Sequence, residues 1–347
     1  MDAKKLLEAL GSVTTVSGFE ERGHGQVKEI LAPYFDEIAP AGVAGLACIS
    51  RCGKENAPLV LIDGHLDEIG LIVTDIKDDG LLTVGSLGGI DRRTLTGERF
   101  IVHANEPLFA VTVKKPYCMM NGNEQRKTPS MEDLRLFTGK TKEELTALGV
   151  KVGTTIGYEK NYFSLSDDLF FGPSLDNAAA AVAGTLAVEM LKGKELGCDI
   201  ALLLSSQEES FGAGFKTGAF SLDPDEIFVV DVDLGNTPET DKNKTVTVGE
   251  GPSVALSVQT DKAMTRSVID IAKAKEIPCQ PVLNVKSTGT NASAVPFLMG
   301  GIPCAVVSIP LKYMHTPAEG ISMKDLENTG KLLAAYIEER YGVKEAE

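Results

Sequence analysis

Four short apolar runs in this chain each lead into residue types that bind metal, and this pairing limits the fold more than any other feature. LVLID runs into GHLDEIG, with His65, Asp67 and Glu68, and DIALLLSS runs into QEE, with Glu208 and Glu209. IFVV runs into Asp231 and Asp233, and AVVSIP runs into LKYMH, with His315. Unbroken apolar runs of this length suit strands buried on both faces of a parallel sheet. Open α/β sheets bind ligands beyond the carboxyl ends of such strands. Asp176, in GPSLDN, opens a long helical segment where the N-terminal dipole favours negative charge.

The rest of the chain fits around that sheet. Leu6, Leu7, Leu10 and Val13, then Val27, Ile30, Leu31 and Tyr34, recur at helical spacing and predict two N-terminal helices. From Gly172 onward helical segments alternate with apolar strands, ending in a helix from about Met323, which predicts a three-layer α/β domain. Between them IGLIVTDI, GLLTVGSL, RFIVHA and LFAVTVKK are short β-rich runs separated by turns such as DDG and ANEP. The expected organisation is a catalytic domain of residues 1–70 and 166–347, interrupted by a small β-barrel or β-sandwich over 71–165.

Composition excludes several functions. Asp and Glu outnumber Lys and Arg 49 to 34, and the resulting net charge of −15 repels nucleic-acid backbones and anionic lipid. No stretch of about 18 apolar residues offers a membrane span, and the absence of tryptophan leaves few platforms for sugars. The six cysteines are scattered without a CxxC pair, as reduced packing residues would be, and the start has no signal-peptide core. Both features predict a cytoplasmic protein.

Taken singly, Asp176 is an ordinary helix cap, Glu208 and Glu209 a solvated loop, and His315 a structural histidine. Five such groups at the mouths of neighbouring strands form a different pattern. Converging carboxylates repel one another and take up protons unless a cation compensates. Histidine among them favours zinc, cobalt or manganese over calcium. Five ligands with one bridging carboxylate satisfy two ions and leave a further carboxylate to act as base. Extended backbone places both Asp63 and Asp67 on the side of His65, so either can orient its ring.

The ordered set SGFE, DGHLDEIG, GPSLDN, SSQEE, VVDVD and YMHTPAEG resembles the TET-type dimetal aminopeptidases, which include glutamyl aminopeptidases and proteins once labelled endoglucanases. The resemblance implies that His65, Asp176, Glu209, Asp231 and His315 hold two divalent ions, zinc or cobalt, with Asp176 bridging them. It implies that Asp67 orients His65 and that Glu208 is the general base. It also implies short peptides as substrates, and homo-oligomers in which the β insert helps dimers assemble into a dodecamer. The chain departs from the family pattern at Asn177–Ala180, at Ser210 and Phe211, at Asn291 and at Lys312, none of them an implied ligand. A dimetal deacylase or other hydrolase, and an inactive paralogue retained as an assembly subunit, are the competing readings.

Overall fold

The computed structural model describes residues 1–238 and 240–343. The apolar run from Leu59 forms the strand Leu59–His65, buried at every position from Val60 onward. Asp199–Ser205 and Glu226–Leu234 flank it in parallel, and Cys304–Lys312 continues the parallel set. Antiparallel strands widen this centre: Gly45–Ser50 and Glu37–Ala41 on one side, Glu319–Ser322, Leu169–Gly172 and Phe163–Ser164 on the other. Ser253–Ser257 and Gln280–Asn284 branch from Cys304–Lys312, giving eleven strands among the described residues.

Alternation along the central strand divides the core into two layers. Val60 and Ile62 pack beneath the helices Ala3–Gly11, His24–Leu31, Leu175–Leu191, Lys262–Ala274 and Met323–Tyr341, whereas Leu61 packs beneath the helix Ala213–Leu222. The fold is therefore the expected three-layer α/β arrangement, with most of its helices on one face. Leu175–Leu191 lies close to the sheet because its inner face is built from Ala179, Ala180 and Ala183, all fully buried. A Cβ on Gly64, one residue before His65, would stand 2.6 Å from the Ala180 Cβ. Bare glycine at that point lets helix and strand meet.

The insert is a closed barrel, in the order Gly70–Ile76, Leu82–Leu87, Arg135–Phe137, Pro107–Val113, Arg99–His103 and Thr155–Tyr158. It has its own core, including Leu71, Val73, Leu82, Phe100, Leu136 and Ile156. Its first and last strands pair directly, Leu71 opposite Ile156. Phe163–Ser164, which follows the barrel, already belongs to the large sheet. Among the described residues no helix is long and apolar enough to cross a membrane, and the six cysteines are free thiols.

Candidate active site

Register brings the ends of the parallel strands level. Ser205 lies beside His65 and Val229 beside Asp63, so Asp231, two residues further along its strand, reaches the height of His65. Glu208 and Glu209 lie past the end of Asp199–Ser205 in a turn, where adjacent side chains need not point to opposite faces. His315 lies past Cys304–Lys312 in a loop that holds it at φ +62°.

Asp176 occupies a different place from the one its sequence suggests. Asp176 (φ −83°, ψ 99°) and Asn177 (φ −128°, ψ 41°) are both non-helical, and Asn177 Oδ1 accepts the Ala180 N–H at 3.1 Å. Asn177 is therefore the cap of the regular helix. Its amide also donates to Val230 O at 3.0 Å and Asp231 Oδ1 at 3.2 Å, which ties the helix start to the neighbouring strand. Asp176, one residue earlier, projects into the centre instead of capping.

Two groups result whose atoms lie within 4.8 Å of one another and could hold a metal ion: His65, Asp176 and Asp231, and Asp176, Glu209 and His315. Asp176 divides its oxygens between them. Oδ1 is 3.0 Å from His65 Nε2 and Oδ2 is 3.5 Å from His315 Nε2. Asp231 Oδ1 is 3.8 Å from the same His65 nitrogen, and Glu209 Oε1 is 3.2 Å from His315 Nε2. Glu208 belongs to neither group; it is half-buried, and the charges of His65, Glu209, Asp176 and Asp67 act on it.

The supporting residues separate Asp63 from Asp67. His65 Nδ1 donates to the Asp67 backbone carbonyl at 2.9 Å, with the Asp67 carboxylate at 3.6 Å. That carboxylate accepts the N–H groups of Glu208 at 3.0 Å and Glu209 at 3.1 Å, so one buried side chain fixes the turn that carries both glutamates. Asp63 instead accepts from Asn291 Nδ2 at 2.9 Å, and burial pushes it up to about 7. Asn291 also donates to Ser205 Oγ at 3.1 Å. An aspartate in its place would set two carboxylates face to face, so the amide suits this setting.

Three further buried glutamates shape the site. Glu20, from SGFE, accepts the N–H groups of Gly18 and Gln207, each at 2.9 Å, joining the N-terminal loop to the QEE turn. Glu68 accepts the Thr15 N–H at 3.1 Å and pairs with Lys160 and Ser174. Glu319 accepts the Asp176 N–H at 3.1 Å and the His315 N–H at 2.9 Å. All three lie in the quoted motifs, but each also makes a contact to a segment far away in sequence, to Gln207, to Thr15 and Ser174, and to Asp176, and those contacts leave no local signal. The barrel also reaches this centre: a Cβ on Gly88 would stand 3.3 Å from Glu209 Oε2, and one on Gly89 3.1 Å from His315 Nδ1.

The electrostatics show that the donor set suits cations. Burial raises Asp231 well above the carboxylate range, raises Glu209, and pushes Glu208 up to about 7. Burial alone would lower both histidines, but hydrogen bonds to Asp176 with those to Asp67 or Glu209 lift His65 well above its ordinary value and His315 to about 11. Asp176 is buried too, yet its hydrogen bonds to His315 and His65 hold it well below the usual range. The centre therefore favours positive charge. Divalent cations in the two groups would supply that charge, and imidazole with carboxylate suits zinc, cobalt or manganese.

The sequence profile described as M42 glutamyl aminopeptidase matches residues 45–332. The chain is 31% identical over 341 residues to a lysyl aminopeptidase of Pyrococcus furiosus, an alignment covering 97% of this chain and 96% of that one. Its structure resembles a TET aminopeptidase from a marine sediment Thaumarchaeota archaeon, with a TM-score of 0.90, 28% identity, and coverage of 96% and 95%. It also resembles the Pyrococcus horikoshii TET1 peptidase that can assemble into a tetrahedron or a large octahedral shell, with a TM-score of 0.83, 25% identity, and coverage of 97% and 99%.

Proposed function

Because the chain belongs to the M42 glutamyl aminopeptidase family and is a hydrolase of peptide bonds, we propose that it removes N-terminal residues from short peptides with two divalent ions held by His65, Asp176, Glu209, Asp231 and His315. The observation that carries this reading is the divided carboxylate of Asp176, with one oxygen toward His65 and the other toward His315. When bound, two such ions lower the pKa of water from about 15.7 toward about 7 and polarise the scissile carbonyl.

This chain's own residues do the remaining work. Glu208 takes a proton from the attacking water and returns it to the nitrogen of the leaving amine, and its raised pKa suits both halves of that exchange. Asp67 orients His65 and holds Glu208 and Glu209 through their backbone N–H groups. Zinc or cobalt fits the donor set. We place this activity in the cytoplasm, in keeping with the free thiols, and in a homo-oligomer of dimers built to a dodecamer, to whose contacts the barrel contributes. The family description and the Pyrococcus furiosus relative name different amino acids, so the preferred N-terminal residue is a matter for assay.

Protein reconstituted with zinc or cobalt and assayed on a panel of aminoacyl p-nitroanilides, with a chelator-stripped control, tests the reading. Metal-dependent release from one amino-acid class is expected. Silence on the panel with turnover of N-acylated amines would establish a deacylase instead, and silence on every substrate with both ions bound would establish an inactive subunit.

A further inference from the structure

His65 and Asp231 stand on strands whose ladders fix their backbones, whereas Asp176, Glu208, Glu209 and His315 stand on irregular backbone. Each of those four has its N–H taken by a buried carboxylate: Asp67 accepts from Glu208 and Glu209, and Glu319 accepts from Asp176 and His315. Glu319 opens the strand Glu319–Ser322, opposite Gly172, which places it between the Asp176 and His315 segments. It is 2% exposed, and among the described residues no lysine or arginine pairs with it. Burial pushes this carboxyl up to about 8 even with both N–H bonds and the nearby His315 acting against it; that is a costly way to satisfy two N–H groups, and neither N–H belongs to regular structure. What the carboxylate secures is the separation of two side chains that face one another at 3.5 Å.

We propose that Glu319 is a positioning residue that sets the spacing of Asp176 and His315, and so the shape of the site they form with Glu209. The proposal rests on the dimetal reading above. Glutamine at this position keeps one acceptor but turns an NH2 group toward the second N–H, so it releases one of the two segments while preserving volume. Aspartate keeps the charge but is one methylene too short to span both.

The test uses the full chain as wild type, Glu319→Gln, Glu319→Asp and Ser322→Ala, titrated with zinc and cobalt against a chromophoric chelator and melted without metal. Ser322 lies on the same strand and caps the helix Met323–Tyr341 without touching the site, so its variant reports strand stability alone. Glu319→Gln is expected to bind one of two ions about 10–100-fold more weakly, with kcat recovering as metal is raised, while Ser322→Ala melts earlier with unchanged affinity. Glu319→Asp gives the same split and serves if the glutamine variant does not fold. Wild-type affinity in a folded Glu319 variant overturns the proposal. So does a loss of affinity that follows melting temperature equally in Ser322→Ala. A wild type that takes up no ion overturns the dimetal reading instead.

Discussion

Substituting Asp67 by asparagine isolates the clamp on the QEE turn, because the side chain keeps its volume and loses only charge and one acceptor. Its carboxylate now receives two backbone N–H groups at 3.0 and 3.1 Å and is 0% exposed, so water cannot replace it. In Asp67→Asn one of these bonds becomes neutral and the other sets an NH2 group against an N–H. Bonds to charged groups contribute about 1.5–3 kcal/mol each and neutral ones about half that. The combined loss is therefore roughly 2–4 kcal/mol, and at about 1.4 kcal/mol per tenfold it corresponds to about 30- to 700-fold if all of it falls on the positions of Glu208 and Glu209. The assay is kcat/KM for the best aminoacyl p-nitroanilide at saturating metal, beside the melting temperature of the metal-free protein. A folded Asp67→Asn enzyme within threefold of wild type would refute the clamp.

Glu208→Gln should lower kcat by about 10²–10⁴ while leaving both ions bound, since it removes proton transfer and no ligand; unchanged turnover at full metal occupancy, read by metal analysis, counts against Glu208 as base. The base must be ionised, so kcat/KM rises with pH along a limb between the ordinary 4.5 of glutamate and the raised value of about 7, because bound cations pull Glu208 back down. A pH–rate series that keeps this limb in a residually active Glu208→Gln enzyme would assign it elsewhere. Gly89→Ala sets a Cβ 3.1 Å from His315 Nδ1 and should cost about tenfold or more in kcat/KM; wild-type kinetics would show that the barrel turn yields freely. Gly64→Ala crowds Ala180 at 2.6 Å and should destabilise by about 1–3 kcal/mol in guanidinium unfolding, whereas an unchanged midpoint would mean the helix shifts without strain.

Local pattern exposed the residues whose placement is local. His65 and Asp231 follow from apolar runs that had to be parallel strands, and their heights match because the strands are in register. The helix after GPSLDN was legible too, but in an Asp-Asn pair the sequence does not say which residue caps, and the structure gives that part to Asn177. Asp63 and Asp67 share a parity with His65, so only the other layer, where Asn291 meets Asp63, separates them. Glu319 was out of reach: it is 143 residues from Asp176, and a glutamate after a proline-bearing turn reads as solvated until two strands are known to be neighbours. Closure of the barrel likewise depends on pairing between Leu71 and Ile156, which no local period encodes.

The same pairing means that the chain enters and leaves the barrel through adjacent strands. Between those two points the polypeptide is a detour whose length the host domain does not register, the condition under which an insertion is tolerated. A lineage built on this plan is free to trade one detour for another while the large sheet and its strand ends stay as they are. Gly88 and Gly89 limit that freedom. Any replacement must still bring two residues without side chains against Glu209 and His315, so exchange of the module is constrained where it meets those two residues.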